Sequence, residues 1–238
     1  MRLTSDPADD FDPVFSADGS RVAFRSDRDG GGIYEAPVIG GEAHLLVPRG
    51  RHPRFSPDGQ FLMYSTDLTN SGFGTNLFVL ALGGERPNPI APQCSINPNT
   101  AWSPDSRRVL FAGDCPGHDD ETVIWTASPD GQDLRKTSLH NSFNRYDLDA
   151  ASLMVSLDQW VPHPDRLLLP RLAGDVAYIG SLPILADGMA ANGPIERITY
   201  GVGSEERVSA SQNGRLVLTS ASRDSRVWGL SIDGNGKA

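Results

Sequence analysis

The sequence predicts an all-β fold, a five-bladed β-propeller of four-stranded antiparallel blades, and three observations predict it. A turn motif recurs along the whole 238-residue chain, and an aromatic recurs at a set distance after it. No stretch keeps the apolar period of a helix, the nearest being the short, mixed segment Tyr146 to Leu157. Four-stranded sheets repeated around a channel satisfy all three.

The turn motif reads Phe15-Ser-Ala-Asp-Gly19, Phe55-Ser-Pro-Asp-Gly59 and Trp102-Ser-Pro-Asp-Ser106. Weaker copies stand at Trp160-Val-Pro-His-Pro164 and Ala210-Ser-Gln-Asn-Gly214. Equivalent positions are 40, 47, 58 and 50 residues apart, the period of propeller blades. Pro57 pre-sets the first central dihedral of a tight turn, and Gly59 accepts the left-handed step that follows.

Each copy continues alike. An alternating run such as Arg21-Val-Ala-Phe24 makes a second strand, and a third strand carries Tyr34, Phe78, Trp125, Tyr178 or Trp228, 18 to 23 residues past the first marker. That shared aromatic predicts one packing slot between neighbouring sheets. A glycine turn and a short fourth strand, as in Arg135-Lys-Thr137 or Arg197-Ile-Thr199, end the unit. The expected single domain spans 1–238, with blades at about 8–47, 48–91, 95–137, 155–199, and 203–232 plus 1–4. The last assignment follows from the ends. Arg2-Leu-Thr4 resembles Arg197-Ile-Thr199, and eleven residues separate Thr4 from Phe15 just as eleven separate Thr199 from Ala210. Pairing the N-terminal strand with the last blade would close the ring and remove two sheet edges; the alternative is a piece of a longer array in which Arg2–Thr4 belongs to another blade.

Composition narrows the function classes. Gly and Pro make up 43 of 238 residues, which fits many turns. A net charge of −9 argues against a protein that tracks nucleic-acid phosphates. No apolar run is long enough to span a bilayer. The opening residues lack the apolar core of a signal peptide. That leaves a cytoplasmic protein or a fragment whose targeting sequence lies elsewhere.

Pro13 to Gly19, Ser26-Asp-Arg-Asp-Gly30 and Ile33-Tyr34 together resemble the TolB-like repeat family. The likeness covers essentially the whole chain, is strongest in the first two copies and is eroded in the fourth, where His163-Pro164 replaces Asp-Gly. More narrowly, the succession is similar to propeller regions attached to bacterial serine/threonine kinases and winged-helix regulators. The resemblance implies an extracytoplasmic sensing or interaction module, with no kinase or DNA-binding motif in this chain. TolB-like blades also occur in peptidases, polysaccharide lyases and glycosidases, so fold leaves function open.

Cys94 and Cys115 are placed symmetrically about the Pro104–Asp105 turn, 10.5 positions either side. Positions equidistant from a hairpin turn face one another, so a disulfide and two free thiols are both open readings. A bridge would point to an oxidising, periplasmic or other extracytoplasmic compartment. Cys115, His118, Asp119 and Asp120 fall short of a four-ligand zinc set, and the acidic turns lack calcium-loop spacing. Neither a metal nor a cofactor is expected.

There is no Gly-x-Ser-x-Gly elbow, and the histidines at 44, 52, 118, 140 and 163 are scattered. The candidate binding residues are Asp12, His52, Asn99 and Arg207, each three positions before the turn-side residue of its copy. They predict a polar, varied ring at the channel mouth, which Leu157 breaks in the fourth copy. Asp12 and Arg207 could equally pair across a closed ring. A second candidate is the excursion around Ser142 to Tyr146, twelve residues longer than the other junction. The reading favoured is a non-catalytic module binding a protein or a small polar or saccharide ligand at that mouth. The alternative is a carbohydrate-active enzyme using carboxylates there.

Overall fold

A computed structural model describes residues 3–68, 75–84, 86–117, 123–139, 141, 157, 159–162, 165–173, 176–200, 204–210 and 216–221. The first unit is β1 (Asp10–Phe15), β2 (Arg21–Ser26), β3 (Gly32–Pro37) and β4 (His44–Pro48), hydrogen-bonded in that order. The second is β5 (Arg51–Phe55), β6 (Phe61–Leu68), β7 (Thr75–Ala81) and β8 (Asn88–Ile90), and the third is β9 (Ser95–Trp102), β10 (Val109–Asp114), β11 (Val123–Ala127) and β12 (Arg135–Lys136). The fourth is β13 (Gln159–Val161), β14 (Arg166–Ala173), β15 (Val176–Pro183) and β16 (Glu196–Arg197). A two-stranded sheet, β17 (Ser204–Ala210) with β18 (Leu216–Ala221), follows. All pairings are antiparallel, and the first strand of each unit contacts the first strand of the next. The described strands are therefore all-β units stacked side by side. The expected outer strand at Arg2–Thr4 finds Leu3 and Thr4 outside any strand, while Val227-Trp228, its expected partner, lies outside the described residues.

The turns form as their residues dictate. Ser16, Ser56 and Ser103 each donate a hydroxyl to the aspartate two residues on, at 2.6 Å, closing an Asx-type turn. Gly59 carries φ 72, which favours glycine there.

The core lies between units rather than within them. Phe55 packs with Ala23, Ile33 and Val47 of the first unit. Trp102 and Trp125 pack with Met63 and Val79 of the second, and Trp160 with Leu110 and Ile124 of the third. Phe78 and Trp125 share one slot facing the preceding unit. Phe15 holds the equivalent turn-side position in the first unit and is 63% exposed. Its sheet neighbours Val22, Phe24, Tyr34 and Ala36 are nonetheless buried.

The Ser26-Asp-Arg-Asp-Gly30 segment proves structural. Arg28 lies over the rings of Phe24 and Tyr34, at 5.4 and 4.8 Å, and pairs with Asp10 at 2.9 Å. Partial burial works against the Asp10 charge, but hydrogen bonds from Ser26, Thr4 and Arg28 outweigh it and hold the carboxyl below its usual range.

Cys94 and Cys115 are joined by a disulfide, with Cα atoms 4.3 Å apart. The register shows how they meet. Near the hairpin tip Trp102 pairs with Val109, which centres the turn one residue later than Pro104–Asp105. An irregularity then places two extra residues on β9 between Ile96 and Thr100, and Ser95 comes opposite Asp114. The shift brings the two cysteines face to face.

Candidate functional site

Three of the four candidate binding residues sit where a first strand departs from regular pairing with its neighbour, and the fourth lies in the same kind of segment. The register slips between Phe11 and Val14, between Arg51 and Arg54, and between Glu205 and Arg207. Asn99 falls in the irregular stretch of β9. Asp12 has φ 49 and His52 φ 50, the left-handed conformation that Asp, Asn and His tolerate better than other side chains. Backbone geometry thus gives this slot a structural reason to be polar. In the fourth unit the described pairing of β13 starts at Gln159, and Leu157 is fully buried among Leu139, Leu167 and Leu182. The departure seen in the sequence coincides with an apolar, buried side chain.

Asp12 and His52 come together across the boundary of the first two units. His52 Nε2 lies 3.8 Å from Asp12 Oδ2, within ion-pair range for a protonated ring. His52 Nδ1 lies 2.8 Å from Ser65 Oγ, and the Ser65 hydroxyl donates to the Arg51 carbonyl at 3.4 Å. Serine, histidine and aspartate are therefore connected, but not as a nucleophilic set. Ser65 is 1% exposed, so no substrate carbonyl reaches its oxygen. Asn99 and Arg207 are placed by their backbones at equivalent positions in β9 and β17, and their side chains lie outside the described residues. So does the excursion around Ser142 to Tyr146, as do His118, Asp119 and Asp120.

The opposite end of the units, where the hairpin turns lie, holds a cleft of about 550 Å³ between the second and third units. Asp58, Asp105, Asp130, Arg107 and Phe61 line it. Partial burial works against the charge of Asp105, but the Ser103 hydroxyl and the Arg107 amide outweigh it and hold the carboxyl low. The Ser128 hydroxyl and the Gln132 amide do the same for Asp130. Both acids are ionised near neutral pH. A glycosidase-type general acid needs the reverse shift, so these two carboxylates are turn fasteners rather than an acid–base pair. This cleft was not legible as a site because its residues come from separate turns 25 or more positions apart.

No family model matches the chain, and no curated protein matches it in sequence. Solved structures do match in shape. A protein described as a TolB from Agrobacterium tumefaciens superposes with a TM-score of 0.66 at 17% identity, over 94% of this chain and 74% of that one. TolB from Acinetobacter baumannii gives 0.60 at 16% identity, over 87% of this chain and 48% of that one. A gluconolactonase from Xanthomonas campestris gives 0.55 at 16% identity, over 87% and 68%. This chain thus spans about half the length of the Acinetobacter protein. At such identities the likeness is one of fold, and the fold is that of a TolB-like β-propeller.

Proposed function

We propose that the chain is a non-catalytic recognition module, a closed five-bladed propeller that binds a protein partner or a small polar or saccharide ligand at its channel mouth. Asp12, His52, Asn99 and Arg207 form the binding surface in this reading. The observation that carries it is the meeting of Asp12 and His52 at one end of adjacent first strands. Polar side chains converging at the end of a channel interact in a small, partly shielded space, which suits selection of a polar ligand. The burial of Val22, Phe24, Tyr34 and Ala36 on the outward face of the first unit supports ring closure. The disulfide supports an oxidising, periplasmic setting, and among the described residues no helix is long and apolar enough to cross a membrane. The interaction role also fits the likeness to the propellers attached to bacterial kinases and regulators.

The test is a thermal-shift screen of saccharides, organic acids and peptides, with each hit titrated against Asp12→Gly and His52→Gly variants. Loss of binding without loss of stability supports the mouth. Hits that bind both variants as they bind the native chain place the surface elsewhere.

A further inference from the structure

At the same end as Asp12 and His52, the first unit carries a depression of about 280 Å³ lined by Arg25, Asp27, Arg49 and Arg51 over a glycine floor. Arg25 is the penultimate residue of β2, Gly30 and Gly31 lie in the turn to β3, Arg49 and Gly50 join β4 to β5, and Arg51 opens β5. Its lining carries three guanidinium groups and one carboxylate, on a chain whose net charge is −9.

The repeat does not account for the arginines. Ser65 and Ala112 occupy the position of Arg25 in the next two units, ten residues past the turn-side aromatic. Ala91 occupies that of Arg49, directly after the outer strand, and shares its left-handed backbone, with φ 44 against 56. The left-handed step therefore belongs to the connection, and the guanidinium carried on it does not.

The side chains are set for capture. Arg25 is oriented by Asp27 at 2.7 Å and by the Phe11 ring at 5.0 Å. Arg49 is exposed and forms no ion pair among the described residues. Gly30 has φ 91, and a Cβ built on it would meet nothing within 4 Å, so the floor is open there, whereas Gly32 and Gly50 are packed closely against Val47 and Ile33.

We propose that this depression is an oxyanion site that takes a phosphate-type group, with Arg49 and Arg25 as charge-assisted donors and Arg51 adding to the local potential. Planar guanidinium forks match phosphate oxygens, and a glycine floor lets a tetrahedral group approach the main chain. The residues differ from those of the mouth, so this site stands or fails separately from the mouth reading.

The experiment is calorimetric titration of the full chain with inorganic phosphate and with phenyl phosphate, at ionic strength matched with sodium chloride. Saturable one-to-one binding is expected, weakened about tenfold by Arg49→Gln. Arg107→Gln, in the cleft at the other end, should bind as the native chain does. Tighter binding of phenyl phosphate identifies the group as the end of a larger ligand, and tighter binding of inorganic phosphate identifies the free anion. Heats no larger than those of chloride overturn the proposal, as does unaltered binding by Arg49→Gln. Arg49 is exposed, so its replacement tests the site in a folded chain.

Discussion

The indole Nε1–H of Trp102 donates to the main-chain carbonyl of Arg54, 3.1 Å away in the preceding unit. The ring also stacks on Phe61, with centroids 6.1 Å apart, inside the core between the two units. Trp102→Phe keeps most of the packing and loses the bond, so it should destabilise by about 1 kcal/mol. Trp102→Ala empties the slot and should cost about 3–5 kcal/mol. Urea unfolding of both variants checks the order, and a Trp102→Phe variant as stable as the native chain would show that the bond contributes nothing.

The Cys94–Cys115 bridge closes the hairpin of the third unit. Mass spectrometry of a non-reduced digest should recover one linked peptide pair. The Cys94→Ser/Cys115→Ser variant should unfold about 2–4 kcal/mol more readily. Two alkylatable thiols in oxidised protein would contradict the pairing.

Acid should unfold the protein from its turns. Hydrogen bonds from the Ser16 hydroxyl and the Ser20 amide hold Asp18 down to about 2, and Asp10, Asp105, Asp130 and Asp133 are also held low. A carboxyl depressed in the folded state stabilises it above the unfolded value of about 4. That contribution disappears as pH falls through the folded value. Melting temperature should therefore be steady from neutral pH to about 4 and drop towards pH 2. Asp18→Asn and Asp105→Asn should flatten the drop, and an acid limb unaltered in both would place the proton-sensitive groups elsewhere.

The left-handed backbone at Asp12 and His52 separates structure from recognition. Glycine accepts that conformation, and a β-branched residue does not. Asp12→Gly should fold almost as well as the native chain, whereas Asp12→Val should lose about 1–3 kcal/mol. Thermal melts of the two variants decide it, and equal melting would mean that the bulge relaxes freely.

These residues also show what the sequence could carry. Ser56, Pro57, Asp58 and Gly59 set a turn by local chemistry, so the repeat and the strand order were readable from them. A bulge leaves no such mark. The polar variety at Asp12 and His52 read as a ligand surface, yet a left-handed backbone selects similar side chains. The symmetry of Cys94 and Cys115 about Pro104–Asp105 lies one residue off the true turn centre, and two extra residues in β9 compensate. The arginine-lined depression was missed because Arg25 and Arg49 come from elements joined only by folding.

Ring closure has a direct check. Leu3 packs near Val22, Phe24, Tyr34 and Ala36, on the face that a last blade would cover. Removing residues 1–5 should lower the melting temperature by several degrees if that segment completes the ring. An unchanged melting temperature would mean that these residues carry no share of the closure.

Thr75 pairs with Ile96 across the second and third units, and its hydroxyl donates to the Ile96 carbonyl at 3.1 Å. That seam makes their strands one eight-stranded sheet, fastened at one corner by the disulfide at Cys94. Units that meet only through side chains can open one at a time, as in stacked repeats. Two units sewn by main-chain bonds have to open as a single block. The second and third units are therefore the slowest to open among those described. The Ser138 amide also donates to the Met189 carbonyl and ties the third unit to the fourth, so a partner that deforms the fold on binding would find the compliance in the first unit.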